Sequence, residues 1–270
     1  MPEVTTSVSS RIFYRKIGSG PVLVLSHGFP ENGTIWRTIW NGLSSSFTLI
    51  IPDLPGSGNS VLEKETGIGE MADCIKSVMD NEGIKRAVIA GHSMGGYVGF
   101  EFAARYPERL AGLSLVHSIA LADDEDKKRT RLKAIELIQK GGKDIFIKQM
   151  IPNLFSNAFK QSSSNMVEEQ IERALKMDAV SLVNFYDAMI ARKDNSGILE
   201  KADYPVQWII GMDDNVIYYK KILEQCYKSP VNFVSFYNNC GHMSMIEAPG
   251  QLIADLKEFT EYSYEYHITR

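Results

Sequence analysis

Short, mostly apolar runs recur along the chain, and few of them alternate strictly between apolar and polar residues. The runs lie at residues 22–25, 47–51, 87–90, 113–116, 206–210 and 231–234. Runs of this kind predict strands that are covered on both faces, as in a parallel sheet. Residues 11–17 alternate instead, which predicts a half-buried strand.

Helix-length segments separate these runs, for example at residues 68–82, 96–106 and 217–227. Strands that alternate with helices predict an α/β fold, in which a mostly parallel central sheet is flanked by helices. Ligands of such sheets bind beyond the carboxyl ends of the strands. We therefore expect the residues that carry chemistry in the loops at that edge.

The alternation stops between residues 119 and 194, where no strand is predicted. Leu132, Ile135 and Ile138 mark one helical stripe, which a pair of glycines ends. We predict an α/β core formed by residues 1–118 and 195–270, with residues 119–194 inserted as a helical cap or lid. The alternative is a packed helical layer that has no role in chemistry.

Composition narrows the class of protein. The chain has 270 residues, 44% of them hydrophobic, which is enough for one large core. Its net charge of −4 and the absence of a long basic block argue against a nucleic-acid partner. No stretch is long and apolar enough for a membrane span, and residues 1–7 do not resemble a signal peptide. Three cysteines without metal-type spacing fit a reduced compartment, so we expect a cytoplasmic protein without a metal.

The strongest chemical signal is the pentapeptide Gly91-His92-Ser93-Met94-Gly95, which directly follows a predicted strand and precedes a predicted helix. In this G-x-S-x-G setting the chain turns so tightly that the serine hydroxyl is exposed in a strained conformation. The setting predicts that Ser93 is a nucleophile. We interpret His92 as a packing residue, because such a turn directs the neighbouring side chains away from the serine.

A serine hydroxyl needs a base beside it, normally a histidine that a carboxylate orients. His242 follows the last predicted strand, in a loop that can reach a serine on a central strand, and is the predicted base. The carboxylate is expected at the end of the strand at residues 206–210. Asp213 and Asp214 are both candidates there.

Acyl transfer also needs donors aimed at the oxyanion. The backbone N–H of Met94 is one candidate, and the N–H of Phe29 in the loop at residues 26–33 is the other. In that loop, Gly28 allows close approach of the backbone, and His27 is expected to hold the loop by hydrogen bonding. An ordinary turn would suit the same glycine and proline content.

Other side chains are candidates for a substrate pocket. Trp36 follows the oxyanion loop, and His117 ends a strand; for Trp36, core packing is the alternative. The insertion contributes Phe146, Phe185 and Tyr186, which can form apolar walls or pack against the sheet. These apolar side chains favour an uncharged substrate of small or medium size.

Together, the serine turn, the later aspartate and histidine and the early His-Gly-Phe-Pro loop resemble the α/β-hydrolase superfamily. The turn at residues 51–60 is similar to that family's Asp-x-x-Gly-x-Gly-x-Ser motif. The resemblance implies that the acid lies three residues after Gly211, which selects Asp214. It also implies a Ser93–His242–Asp214 triad that needs no cofactor and acts on a small-molecule acyl substrate with water.

The His-Gly-Phe-Pro-Glu loop looks like that of epoxide hydrolases, which carry an aspartate where this chain has Ser93. A serine fits acyl-enzyme chemistry instead, so the expected activity is that of a carboxylesterase on small or medium uncharged esters. A C–C bond hydrolase, a lactone hydrolase or an acyltransferase would use the same triad. A ligand-binding receptor on a hydrolase fold is the alternative from another class. The oligomeric state stays open.

Overall fold

The computed structural model describes residues 2–7, 9 and 11–268, and an eight-stranded sheet forms the centre of this part of the chain. The strands are β1 (Glu3–Val4), β2 (Ile12–Ile17), β3 (Val22–Ser26), β4 (Thr48–Pro52), β5 (Ala87–His92), β6 (Leu110–Val116), β7 (Val206–Gly211) and β8 (Asn232–Tyr237). They lie in the order β1-β2-β4-β3-β5-β6-β7-β8. The pairs β1–β2 and β2–β4 are antiparallel and the others are parallel, which confirms the predicted fold class.

Burial explains the apolar runs. Every residue of β5, β6 and β7 is buried, because helices cover both faces of the central sheet. Strand β8 lies at the edge and alternates, with Val234 and Phe236 exposed. The strands extend one to three residues beyond several predicted runs, and these extensions carry them to the loops that hold the candidate site.

The helices are α1 (Arg37–Ser44), α2 (Ile68–Asn81), α3 (Met94–Arg105), α4 (Glu125–Leu137), α5 (Lys143–Met150), α6 (Asn157–Ser162), α7 (Ser164–Ala174), α8 (Ala179–Ala191), α9 (Tyr219–Leu223), α10 (Ser244–Glu247) and α11 (Pro249–Ile268). Helix α2 packs on α3 and α1 packs on α11, and both pairs cover the sheet. No helix among the described residues combines the length and the apolar character needed to cross a membrane.

Two helix predictions were inaccurate. The helix predicted at residues 217–227 is observed only as α9, because the chain turns so that the Gln225 amide bonds the N–H of Ala120 and the carbonyl of Lys221. In α4, Leu132 is 52% exposed although it belongs to the predicted apolar stripe. The glycine stop is observed, with Gly141 at a φ of 87° in the turn before α5.

Residues 119–194, called the insertion below, contain helices α4 to α8 and no strand. They follow β6 and precede β7, so the insertion leaves the sheet at the carboxyl end of a central strand. Helix α8 packs on α4, and apolar side chains of both join the core cluster.

Candidate active site

The register of the parallel strands brings several strand ends to one edge of the sheet. Ser26 lies beside Gly91, His92 beside Val116, and Gly211 beside Tyr237. The loops that follow β3, β5, β6, β7 and β8 therefore meet at this edge, and each of them carries a candidate site residue.

Ser93 lies between β5 and α3 with a φ of 50° and a ψ of −113°, a conformation that strains a non-glycine residue. Its N–H donates to the carbonyl of Val116 at 2.9 Å, and the Ser118 hydroxyl donates to its carbonyl at 2.8 Å. At Gly95, a Cβ atom would lie 2.4 Å from the carbonyl oxygen of Ser26, so only glycine fits the turn. The backbone on both sides thus holds the strained serine in place.

Asp214 follows β7 and His242 follows β8, and their side chains meet, with Nδ1 of the histidine 2.7 Å from Oδ2 of the aspartate. The other carboxylate oxygen accepts the N–H groups of Val216 and Ile217 at 2.7 and 2.9 Å. Burial by itself would raise the pKa of Asp214, but the charge and hydrogen bond of His242 lower it, so the carboxylate is ionised. Because a carboxylate only accepts, Nδ1 of His242 carries a proton, and in the neutral ring Nε2 is therefore the nitrogen that has the lone pair.

Asp213, the other candidate acid, is exposed and has no part in this contact. The adjacent positions differ because the chain turns after Gly211 and directs only Asp214 inward. The structure therefore pairs His242 with the residue that the family resemblance selects.

His92 connects the serine turn to His242. Its ring lies 4.9 Å from the His242 ring, and its Nε2 is 2.9 Å from the His242 carbonyl oxygen. Its Nδ1 lies 3.1 Å from the buried carboxylate of Glu31. The carbonyl oxygen only accepts, so Nε2 of His92 donates to it. The residue does more than fill the core, because it ties the loop after β8 to the residue next to Ser93.

His117 is fully buried with a φ of 52°, and its Nδ1 accepts the Gly211 N–H at 3.3 Å. Burial lowers its pKa well below the ordinary value, so the ring is neutral, and it lies 3.6 Å from Asp214. Trp36 is also fully buried, edge-on to His92. Neither side chain has exposed surface in the structure. Trp36 therefore follows the alternative of core packing, and His117 is enclosed behind Asp214.

His117, Asp214 and His242 are also the residues whose ligand types fit a metal ion, since one ligand atom from each lies within 4.8 Å of the others. In the structure, the Nδ1 atom of each histidine already has a hydrogen-bond partner. The His242 nitrogen bonds the carboxylate, and the His117 nitrogen accepts a backbone N–H. The arrangement is that of a hydrogen-bonded acid–base pair with a neutral histidine behind it.

The oxyanion loop is tied to its neighbours through His27. The Nδ1 of His27 donates to the Gly28 carbonyl at 2.8 Å, and its Nε2 accepts the Leu54 N–H at 3.0 Å. A Cβ atom at Gly28 would lie 2.6 Å from His92 Nδ1, which explains the glycine. The Phe29–Pro30 peptide bond is cis. Among the described residues, neither the Phe29 N–H nor the Met94 N–H has a hydrogen-bond acceptor.

The insertion packs directly on this loop. The Phe29 ring lies 4.5 Å from the Tyr186 ring, and the rings of Phe146 and Phe185 follow at 6.4 and 6.3 Å between centroids. The N–H of His242 donates to the carbonyl of Leu154 in the insertion at 2.7 Å. The insertion therefore contacts both the oxyanion loop and the loop of the candidate base.

Glu247 is a residue of the site that the sequence reasoning missed. Its carboxylate accepts the N–H groups of Gly241, Met243 and Ser156 at 3.0 to 3.2 Å. It thereby clamps the loop on both sides of His242 and joins it to the insertion. Its position shortly after His242 was the available signal, since a carboxylate at such a distance can reach back to loop N–H groups.

A cavity of about 800 Å³ lies beside the site between the loop at residues 53–62 and helices α7 and α8. Pro30 and Glu31 line it, directly after Phe29, but Ser93, Asp214 and His242 do not. His242 is only 2% exposed, so the insertion covers the candidate base.

Fold and site together define an α/β hydrolase. Residues 21–249 match the family model of the alpha/beta hydrolase fold, and the chain belongs to that family. A thermophilic esterase from Thermogutta terrifontis has a similar structure, with a TM-score of 0.92 and 25% identity over 97% of this chain and 98% of that one.

Curated relatives are more distant or match only in part. An uncharacterized protein of Mycobacterium tuberculosis is 34% identical over 112 residues, which are 41% of this chain and 33% of that protein. The chain thus covers a third of that relative's length. The pimeloyl-[acyl-carrier protein] methyl ester esterase of Pseudoalteromonas atlantica is 24% identical over 260 residues, 91% of this chain and 96% of that one.

Proposed function

We propose that the protein is a serine carboxylesterase that cleaves small or medium esters through an acyl-enzyme. The observation that carries this proposal is the buried Asp214–His242 pair, whose free Nε2 belongs to a loop tied through His92 to the strained turn at Ser93. Similarity to an esterase of known structure and to a methyl ester esterase supports the same chemistry.

In the first half of the reaction, His242 Nε2 takes the proton of the Ser93 hydroxyl while Oγ attacks the ester carbonyl carbon. The carbonyl π-electrons move to oxygen, and the Phe29 and Met94 N–H groups, which have no acceptor of their own, stabilise that oxyanion. Asp214 stabilises the imidazolium that forms. The C–O bond then breaks, and the alcohol leaves with the proton from His242.

In the second half, water attacks the acyl-enzyme and gives its proton to His242. When the intermediate collapses, the bond from the acyl carbon to Ser93 Oγ breaks, Oγ takes the proton back, and the carboxylic acid leaves. The insertion acts as the cap over this site, because its aromatic side chains contact Phe29 and its Leu154 carbonyl binds the His242 backbone. Neither half of the reaction requires a cofactor.

Fluorophosphonate labelling of the purified protein, with the modified peptide identified by mass spectrometry, tests the nucleophile. We expect labelling at Ser93, none in Ser93→Ala, and a strong loss in His242→Ala. His267→Asn is the matched control, because His267 bonds the Ala111 carbonyl at the opposite edge of the sheet.

Labelling that persists in His242→Ala, or that occurs at another residue, would contradict the proposed triad. Absence of labelling with both a large and a small phosphonate would favour the receptor-like alternative. Hydrolysis of a panel of esters of increasing chain length then tests the substrate size, and a maximum at long acyl chains would contradict the preference for small or medium esters.

A further inference from the structure

Three basic side chains of the insertion lie near the candidate site, the buried side chains of Arg131 and Arg192 and the half-buried side chain of Lys127; we call them the cap cations. Arg131 is 8% exposed, and the side chain of Arg192 is 4% exposed. Cations at this degree of burial are rare, because removing them from water costs several kcal/mol unless partners compensate.

The carboxylates nearby do not balance these charges. Asp123 pairs with both arginines, through Arg131 Nε at 2.5 Å and Arg192 Nη1 at 2.9 Å. Lys127 Nζ donates to the carbonyl of Val216, the residue whose N–H binds Asp214. Asp214 is already paired with His242. The region therefore has an excess of positive charge.

Arg131 also has unused hydrogen-bonding capacity. Its Nε bonds Asp123, but its two terminal amino groups have no acceptor among the described residues. Arg192 differs, since its terminal groups bind the carbonyls of Met189 and Leu121 in addition to Asp123. A guanidinium whose two amino groups are free and not fully enclosed is suited to a bidentate anion.

The position of Arg131 connects it to the chemistry. Its guanidinium lies 5.4 Å from the Tyr186 ring centroid, and the Tyr186 ring lies 4.5 Å from that of Phe29. One aromatic ring thus separates the free amino groups from the oxyanion loop. On the other side, Lys127 reaches the loop that fixes Asp214.

We propose that the preferred substrate is an ester that carries a second, ionised carboxylate, which the terminal amino groups of Arg131 bind. This inference rests on the proposed esterase function and refines its substrate class. The planar guanidinium matches a carboxylate with two parallel hydrogen bonds, and Lys127 adds long-range attraction. Burial, and then the charge of Arg131, lower the pKa of Lys127, which is the direction expected where cations outnumber carboxylates.

The inference departs from the uncharged ester expected from the sequence. That expectation rested on the apolar side chains of the insertion, whereas the structure adds buried cations beside them. Aromatic side chains together with a few charged groups are the usual means by which a site fixes the orientation of a small substrate.

The test compares matched esters that differ only in charge. Monoethyl glutarate and ethyl 4-carbamoylbutanoate carry a carboxylate or its neutral amide on the acyl side, and O-butyrylglycolate and its amide carry them on the alcohol side. The measured quantity is the ratio of kcat/KM for the acid over kcat/KM for the amide. We expect about ten- to a hundredfold in favour of the acid for one of the two pairs, as for a hydrogen bond to a charged group.

In Arg131→Gln the ratio should fall close to one, mainly through KM of the acid, and Arg131→Lys should restore part of it. Arg37→Gln is the matched control, because Arg37 is an exposed arginine paired with Glu169 and should leave the ratio unchanged. Taking the ratio within each variant cancels any general loss of active enzyme. If Arg131→Gln does not fold, Lys127→Met should lower the ratio. In the wild type, glutarate should also inhibit hydrolysis of the amide-bearing esters competitively.

If the wild type hydrolyses the amide-bearing esters through Ser93 but gives a ratio of one or less for both pairs, the carboxylate preference is overturned. The esterase proposal is then left intact. An unchanged ratio in Arg131→Gln would also overturn the role of Arg131. Failure to hydrolyse any of the esters, together with absence of labelling at Ser93, would instead refute the proposed function itself.

Discussion

The backbone of Ser93, with a φ of 50° and a ψ of −113°, is a conformation that glycine adopts freely and other residues only under strain. Replacing this serine by glycine should therefore relieve strain that replacement by alanine retains. Both changes remove the hydroxyl and the proposed nucleophile, so the comparison isolates the backbone. We expect Ser93→Gly to be more stable than Ser93→Ala, although both are inactive.

The magnitude follows from two opposing effects. A non-glycine residue in such a region costs about 1–3 kcal/mol in the folded state. Glycine costs about 0.4–1 kcal/mol through the greater freedom of the unfolded chain. The difference in the free energy of unfolding should be about 1 kcal/mol in favour of Ser93→Gly, or roughly 2–4 °C in Tm for a chain of this size.

Urea unfolding followed by tryptophan fluorescence measures this difference. Ser77 provides the matched control, because it lies inside helix α2, where glycine is less stable than alanine by about 1 kcal/mol. The order of the two variants should therefore reverse between the positions. If Ser93→Ala is as stable as Ser93→Gly, while the Ser77 pair behaves as expected, the strained turn is absent from the folded protein.

Three further predictions concern the residues around His242. Asp214→Asn should lower kcat by a factor of about 10³–10⁴, because an amide favours the wrong tautomer of His242. Asp213→Asn is the control, because Asp213 is exposed, and an equal loss of kcat in that variant would contradict the assignment. Burial lowers the pKa of His117, so as the pH falls this ring is protonated in the unfolded chain while it is still neutral in the folded protein. The free energy of unfolding therefore falls as the pH drops below about 6.5. His117→Asn should make this loss shallower in urea titrations between about pH 7 and 5, and an unchanged slope would refute the buried neutral ring. Glu247→Gln should reduce kcat about ten- to a hundredfold with little change in KM, since the loop around His242 loses a charged acceptor; unchanged kcat would show that the clamp is dispensable.

Much of the fold could be predicted from local pattern. Apolar runs identify the central strands, because these are buried on both faces, and the strand and helix around Ser93 follow from the same pattern. The choice between Asp213 and Asp214 could not be made locally. Both are aspartates at adjacent positions, and only the turn after β7 determines which one is buried.

The contacts that sequence reasoning missed join distant parts of the chain. Glu31 and His92 are 61 positions apart and meet only because β3 and β5 are neighbours in the sheet. Tyr186 and Arg131 come together through the packing of α8 on α4. Neither pair leaves a periodic signal, because periodicity indicates which face of an element is buried and not which other element packs on that face.

The sequence by itself therefore determined which segments form strands and helices, and which residue types are available for acyl chemistry. Those properties depend on neighbouring residues along the chain. Tertiary structure alone decided that Asp214 lies inward and contacts His242, that His117 and Trp36 are closed off, and that Arg131 packs on the Tyr186 ring next to Phe29. These outcomes depend on strand order and on the packing of the insertion, because burial and charge balance are set by groups that are remote in sequence.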